Sequence, residues 1–130
     1  MTTILNCTQH VATADQATLG VVEPADKKAV QRLLTFQDLP TATLLLERAN
    51  ALAEIAQTSG MTSAMVGGAG YFMPYLERAL MSKGITPLHA FTVREVVETV
   101  KADGSVEKTA VFKHAGFVQA SDFIYDCHLG

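Results

Sequence analysis

The pattern of apolar and polar positions along the chain alternates between strand-like and helix-like periods. Ile4 to Thr8 is a short apolar run, which is typical of a buried strand. Thr13-Ala14-Asp15-Gln16 matches a capping box, in which a threonine hydroxyl and a glutamine side chain satisfy each other's free amides, and this predicts a helix of about two turns up to Gly20. Gly20 to Pro24 then predicts a short strand near a sheet edge, because proline cannot donate to a ladder.

The next segments predict two helices of unequal length. From Asp26 the apolar residues fall on one helical face, until Asp38-Leu39-Pro40 breaks the pattern. Thr41 can cap a longer helix that ends at Gly60. The core positions of the two helices are Val30, Leu33, Leu34, Leu45, Ala49, Leu52 and Ala56.

A strand, a glycine turn and a helix follow in direct succession. Ser63 to Val66 is apolar and uncharged, three glycines fall within Gly67-Gly68-Ala69-Gly70, and Pro74 suits the first turn of a helix that ends at Gly84. In an open α/β sheet, such a turn lies at the carboxyl ends of the strands, where ligands bind.

The C-terminal third predicts a strand and a hairpin. Ile85 to Phe91 is a strand, and Asp103-Gly104 is a tight-turn signal between Val93 to Lys101 and Val106 to Val118. A helix beginning at Thr92 is the alternative, since Thr92-Val93-Arg94-Glu95 also matches a capping box; the β-branched residues that follow favour the hairpin.

The order of these elements predicts a single α/β domain over residues 1–130. The expected architecture is a three-layer, Rossmann-like open sheet that is mostly parallel and carries a C-terminal antiparallel β-hairpin. The expected strand order is 2-1-3-4, with the hairpin at the far edge. A chain of 130 residues that is 48% hydrophobic and 18% charged is of ordinary globular size and composition.

The net charge and the cysteine content limit the kinds of partner and the cellular compartment that we expect. A net charge of -3 gives no general attraction for duplex nucleic acid, and no apolar stretch approaches the ~18 residues of a membrane span, so we expect a cytoplasmic protein with reduced thiols. Cys7 lies in a predicted strand, and Cys127-His128 offers too few ligands for a metal. We therefore expect neither a metal nor a cofactor.

The glycine turn is the leading candidate site. Backbone amides of Gly67, Gly68, Ala69 and Gly70 can approach an anion, and the following helix adds the positive end of its dipole. The spacing is neither a dinucleotide fingerprint nor a P-loop. The glycines can equally serve only to permit a tight turn and close packing.

A second candidate lies at the end of the first strand. If the first and third strands are neighbours, Thr8, Gln9 and His10 lie beside the glycine turn and offer a hydroxyl, an amide and an imidazole. His10 can act as an acid, a base or a cation, or it can simply bond within its own loop.

The predicted hairpin register adds two basic candidates. With Asp103 and Gly104 as the two central residues, Arg94 lies opposite Lys113, and like charges in direct opposition need an acid such as Glu98, a bound anion or solvent. In the same register, Glu98 opposes Thr109, and His114 opposes Val93 as a packed residue. Val106, Ala110 and Phe112 share a core-facing surface with Val93 and Val97. His89, inside an apolar strand, is expected to be a satisfied buried imidazole, and Glu77 is expected on a solvated helix face.

The N-terminal motifs resemble those of a known group. Asn6-Cys7-Thr8-Gln9-His10, Ala12-Thr13 and Gln16, followed by the strand, glycine turn and helix, resemble the small Rossmann-like CRISPR-associated proteins that include ring nucleases. The resemblance covers the first third of the chain and the Val66 to Pro74 turn, and the segment from Thr92 to Gly130 departs from it.

The resemblance implies a small nucleotide or phosphorylated ligand, with cyclic oligoadenylate bound at a homodimer interface and cleaved in some members without a metal. It makes His10 a catalytic or phosphate-binding residue and the glycine turn a phosphate cradle. The alternatives are a non-catalytic ligand-sensing regulatory module and a protein-interaction domain.

Overall fold

A five-stranded sheet with four helices is the framework of the computed structural model, which describes residues 3–120. The elements are β1 (Ile4–Cys7), α1 (Ala14–Thr18), β2 (Val21–Val22), α2 (Lys27–Leu34), α3 (Ala42–Thr58), β3 (Ser63–Val66), α4 (Met73–Ser82), β4 (Thr86–Val100) and β5 (Val106–Gln119). The strand order is β2-β1-β3-β4-β5, with parallel pairing up to β4 and an antiparallel β4–β5 pair. The predicted α/β class, mostly parallel sheet and C-terminal hairpin are confirmed. No helix within residues 3–120 is long and apolar enough to cross a membrane.

The helix starts follow the local sequence signals. Thr13 accepts a hydrogen bond from the Gln16 amide at 3.2 Å, and the Gln16 side chain accepts one from the Thr13 amide at 3.0 Å. Thr41 caps α3 in the same way, through the amide of Leu44. Each cap satisfies an amide that has no partner within its helix, so the sequence alone could place these starts.

The two faces of the sheet are covered unequally. Helices α2, α3 and α4 pack on one face over a core that includes the fully buried Leu5, Leu52, Phe72 and Leu76. Right-handed crossovers place α1 on the opposite face, because the chain moves from β1 to β2 in one direction and from β2 to β3 in the other. Since α1 has only five residues, the predicted third layer is thin.

The apolar cluster beneath α1 is correspondingly small. Ile4, Val21 and Met65 are its buried members, and Leu88 and Phe117 of the last two strands are only partly buried against it.

The hairpin differs from its predicted form. Thr86–Val100 is one continuous strand, so the alternative helix at Thr92 is wrong. The loop between β4 and β5 has three central residues rather than two, because Gly104 adopts a positive φ of +85° and the amide of Lys101 donates to the carbonyl of Ser105 at 2.8 Å. The extra residue shifts the register by one.

The register shift corrects the predicted cross-strand pairs. Arg94 lies opposite Phe112 and Lys113 lies opposite Val93, so the two basic side chains project from opposite faces of the ribbon and do not repel each other. Glu98 pairs with Lys108, to which it makes an ion pair of 3.7 Å, and not with Thr109. His114 opposes Thr92 rather than Val93, and its ring packs against Phe117 with 4.8 Å between centroids.

The predicted core surface of the hairpin is also wrong. Phe112 is 74% exposed and Val106 is 55% exposed. The physical reason is that β3 pairs with β4 only as far as His89, so that, among residues 3–120, the later part of β4 has β5 as its only neighbour in the sheet.

Candidate functional site

A cavity of about 530 Å³ opens at the carboxyl ends of β1 and β3, beside the middle of β4. Its lining residues are Thr8, Gln9, His10, Val11, Thr13, Gln16, Met65, Val66, Gly67, Gly68, His89 and Ala90. The loop after β1 and the glycine turn after β3 therefore share one cavity, as expected for neighbouring strands. Ala69 and Gly70 do not line it, and neither do Arg94 and Lys113, which lie on the hairpin.

The glycine turn is shaped by both packing and backbone conformation. Gly68 has a φ of +146°, which side chains rarely adopt, and a Cβ there would lie 3.5 Å from Cε of Met73. A Cβ on Gly67 would lie 3.5 Å from Cγ2 of Thr8, whereas Gly70 has open space around it. Within residues 3–120, no backbone carbonyl accepts a hydrogen bond from the amides of Gly68, Ala69 or Gly70. The turn thus needs glycine at position 68 for its shape, and it keeps donors available for a ligand.

A buried amide organises the loop that follows β1. The Asn6 side chain is fully buried, and its Nδ2 donates to the carbonyl of His10 at 2.8 Å and to both carboxylate oxygens of Glu23 at 3.0 Å. Its Oδ1 accepts from the amide of Thr8 at 3.0 Å and from the Thr8 hydroxyl at 2.6 Å. One side chain therefore joins β1, the loop and the end of β2.

Lys27 fixes the same loop from α2. Its Nζ donates to the carbonyls of Thr8 and His10 at 2.7 and 2.9 Å and forms an ion pair of 3.1 Å with Glu23. Burial opposes ionisation of Glu23, but hydrogen bonds from the Ala12 amide, Asn6 and Lys27 outweigh it and hold the pKa of Glu23 below its usual value. Sequence reasoning missed the roles of Asn6, Glu23 and Lys27, because Asn6 and Glu23 are 17 positions apart in the sequence.

The predicted loop residues have different roles. The Gln9 side chain donates to the Thr35 hydroxyl at 2.9 Å, and the main-chain carbonyl of Gln9 accepts from the Gln31 side chain at 2.9 Å, so these groups hold the loop to α2. His10 is exposed and its carbonyl is anchored, while its imidazole makes no hydrogen bond within residues 3–120. His10 therefore presents an imidazole that is free to meet a ligand.

A histidine–carboxylate pair on the other side of the cavity is the main feature that sequence reasoning missed. Nε2 of His89 lies 2.7 Å from Oε1 of Glu77, with side-chain exposures of 35% and 25%. A carboxylate at this position orients the imidazole. In the sheet His89 pairs with Val66, which places it beside the glycine turn.

The lining has few charges. His10 and His89 are its ionisable side chains, its walls include Val11, Met65 and Val66, and the hydroxyls and amides around them are neutral. Within the described 118 residues, from 3 to 120, no three His, Cys, Asp or Glu side chains are grouped so that they could hold a metal ion. The cavity thus combines two imidazoles, the free amide of Gly68 and apolar walls.

Comparison with curated proteins finds no match, and comparison with solved structures finds none either. A family model does match, and it covers residues 2–118, which include the cavity and the whole paired length of the hairpin apart from its last position. The chain therefore belongs to the family described as Uncharacterized protein MJ1673 family.

Proposed function

We propose that the cavity binds a small phosphorylated ligand of the nucleotide class and that the protein cleaves a phosphodiester bond in it without a metal. The observation that carries this proposal is the 2.7 Å contact between His89 and Glu77 at the wall of a cavity that also holds the glycine turn and His10. Imidazoles, one of them oriented by a carboxylate, supply general acid–base chemistry near neutral pH.

The binding part of the proposal follows from the lining. The Gly68 amide and the His10 imidazole suit a phosphate, while Met65 and Val11 give a base an apolar wall. Thr13 and Gln16 add polar groups at the edge. A cavity of about 530 Å³ lies within the size range of small-molecule sites, ~300–1,000 Å³. It suits one nucleotide unit, so a larger ring would be engaged through one unit at a time.

The chemical part of the proposal requires a ribose 2′-hydroxyl. His89 accepts the proton of that hydroxyl, whose oxygen forms a bond to phosphorus, while the bond from phosphorus to the 5′ oxygen breaks. His10 donates a proton to the departing 5′ oxygen, and the product is a 2′,3′-cyclic phosphate. Glu77 stabilises the imidazolium that forms on His89, and both histidines then exchange protons with water.

Cyclic oligoadenylate is the substrate that the ring-nuclease resemblance suggests, and it stays a prediction. The test incubates cyclic oligoadenylates and a linear RNA dinucleotide with the protein in the presence of EDTA. We expect cleavage, with kcat reduced about 10²–10⁴-fold by His89→Gln. Glu77→Gln should lower kcat with little effect on KM, and His114→Gln is the control, because His114 does not line the cavity.

The outcomes separate binding from catalysis. Full activity of His89→Gln would remove this residue from the mechanism, and unchanged activity of His10→Ala would do the same for His10. Failure of every nucleotide to bind would overturn the proposed site.

A second candidate function is ligand sensing without cleavage. The observation that favours it is that no lysine or arginine lines the cavity, so the lining offers no permanent cation for the charge that develops on phosphorus. Saturable nucleotide binding with an intact ligand after prolonged incubation would identify the protein as a sensor.

A further inference from the structure

The hairpin beyond the sheet forms an arm, which we define as residues Thr92–Val100 and Val106–His114. These residues make nine consecutive cross-strand pairs, from Thr92 with His114 to Val100 with Val106. Because β3 ends its pairing at His89, each strand of the arm is paired only with the other in the part of the chain that the structure describes. An isolated two-stranded ribbon is at best marginally stable in water, so an arm of this length calls for a covering surface.

One face of the arm is unusually apolar for an exposed surface. Side chains that share a cross-strand pair share a face, which places Val96, Val100, Val106, Ala110 and Phe112 together. The four large members of this set are 55–74% exposed. On the other face, Val97 and Val111 are 44% and 40% exposed and lie among threonines and charged residues. We call the first set the apolar arm face.

The apolar arm face continues onto the body of the protein. Alternation along β4 places Leu88 and Ala90 on the same side as Val96, and the contact of His114 with Phe117 carries this side across the base of β5. Leu88 and Phe117 belong to the sheet face that only α1 covers. The same side of the sheet therefore continues from its thinly covered part to the tip of the arm, and its apolar residues are interrupted by Arg94, Glu98 and Lys108.

The size of the apolar arm face determines the area that a dimer can bury. Nine pairs at ~3.4 Å per residue make the arm about 30 Å long, and two strands make it about 10 Å wide, so its apolar face covers about 300 Å². This area is below the ~800 Å² per partner of a standard interface, and the sheet face under α1 adds little because Ile4, Val21 and Met65 are already buried, so we expect a dimer that forms reversibly with concentration.

The charges of the arm and its loop favour a second copy over a partner of one charge sign. This segment has four basic and four acidic residues, so its net charge is zero and the chain's net charge of -3 comes from the other residues. The basic residues are Arg94, Lys101, Lys108 and Lys113, and the acidic residues are Glu95, Glu98, Asp103 and Glu107. The apolar arm face itself carries Arg94, Lys108 and Glu98. A surface with both signs can complement itself across a two-fold axis.

We propose that the apolar arm face is the interface of a two-fold homodimer, in which the arms of two copies of this chain pack against each other and against the thinly covered sheet faces. The dimer buries the exposed valines and Phe112 and stabilises ribbons that lack a third strand. This assignment is independent of what the cavity binds.

The test is the mass of the full chain in solution, measured by sedimentation velocity over a concentration series. Wild type should sediment at twice the chain mass of 13.9 kDa. The double variant Val96→Lys/Phe112→Lys should sediment as a monomer, with dimerisation weakened at least 100-fold. The control Leu39→Lys, which changes a 96% exposed residue away from the arm, should stay dimeric.

A milder double variant guards against misfolding of the arm. Val96→Thr/Phe112→Thr keeps β-forming residues in both strands and should weaken the dimer while the circular dichroism spectrum stays that of wild type. A wild type that is monomeric at every concentration would overturn the proposal, and so would a Lys double variant that remains dimeric.

Discussion

The buried amide of Asn6 allows a quantitative test of how the cavity loop is held. Asn6→Asp preserves the shape of the side chain but replaces its Nδ2 donor with an oxygen. The new oxygen would stand 3.0 Å from both carboxylate oxygens of Glu23 and 2.8 Å from the carbonyl of His10. Two carboxylates this close cannot both ionise cheaply, so the variant should fold with one bound proton.

The cost of binding this proton determines how far the free energy of unfolding of Asn6→Asp falls. Keeping an aspartic acid of ordinary pKa near 3.9 protonated at pH 7 costs about 4 kcal/mol, at ~1.4 kcal/mol per pH unit. The lost hydrogen bond to the His10 carbonyl adds about 1 kcal/mol. We expect the free energy of unfolding to fall by about 5 kcal/mol at pH 7 and by about 2–3 kcal/mol at pH 5, because the proton is cheaper to bind in acid.

Urea unfolding followed by circular dichroism at pH 7 and pH 5 measures this difference. Asn6→Ala is the matched control, since it removes the same hydrogen bonds without adding a titrating group, and its destabilisation should be nearly equal at the two pH values. If Asn6→Asp had the same free energy of unfolding as wild type at pH 7, the reasoning would be refuted. A destabilisation of Asn6→Asp that does not shrink at pH 5 would refute it as well.

Three further predictions follow from single residues. Gly68→Ala should lower the free energy of unfolding by about 1–3 kcal/mol, because φ is +146° there, while Gly70→Ala should change it by less than ~0.5 kcal/mol; equal effects in thermal melts would contradict this. Burial, partly offset by the charge of Lys27, raises the pKa of the Cys7 thiol to about 12. In a Cys127→Ser background, iodoacetamide at pH 8 should therefore label Cys7 only after the protein unfolds. Rapid labelling of the native protein would contradict this prediction. Because the pKa of Glu23 is lowered in the folded state, its ionised form contributes stability above the unfolded value of 4.5, and this stability is lost as the pH falls through the folded pKa. Wild type should therefore lose more free energy of unfolding than Glu23→Gln as the pH is lowered. The same dependence of the free energy of unfolding on pH in both proteins would disprove this prediction.

The sequence was most informative where structure depends on near neighbours. Thr13 and Thr41 cap their helices through residues three positions away, and these starts were predicted correctly. The predicted strand order agrees with the structure, although no local signal in the sequence determines it. Once β1 and β3 are neighbours, the proximity of His10 to the glycine turn follows, because the carboxyl ends of parallel strands meet at one edge of the sheet.

Contacts between residues far apart in the sequence, and the solvent exposure of side chains, were harder to predict from the sequence. One extra loop residue at Gly104 moved Arg94 away from Lys113, because a register shift of one reverses every face. The exposure of Phe112 depends on where β3 stops, which the hairpin sequence does not encode. The pairing of Glu77 with His89 depends on how α4 lies against β4, which periodicity alone does not determine.

One prediction concerns the last residues of the chain. Cys127-His128 lies outside residues 3–120, so the expectation that this pair binds no metal stays a prediction.

The central claim, that the cavity between the β1 loop and the glycine turn is a nucleotide site, is tested most directly by NMR. A ¹⁵N-labelled protein is titrated with adenosine 5′-monophosphate, with inorganic phosphate as a second probe. We expect saturable shifts concentrated in the amides of Thr8 to Val11, Gly67 and Gly68 and in the His89 imidazole. A nucleotide that shifts resonances only elsewhere, or shifts none at millimolar concentration, would contradict the claim.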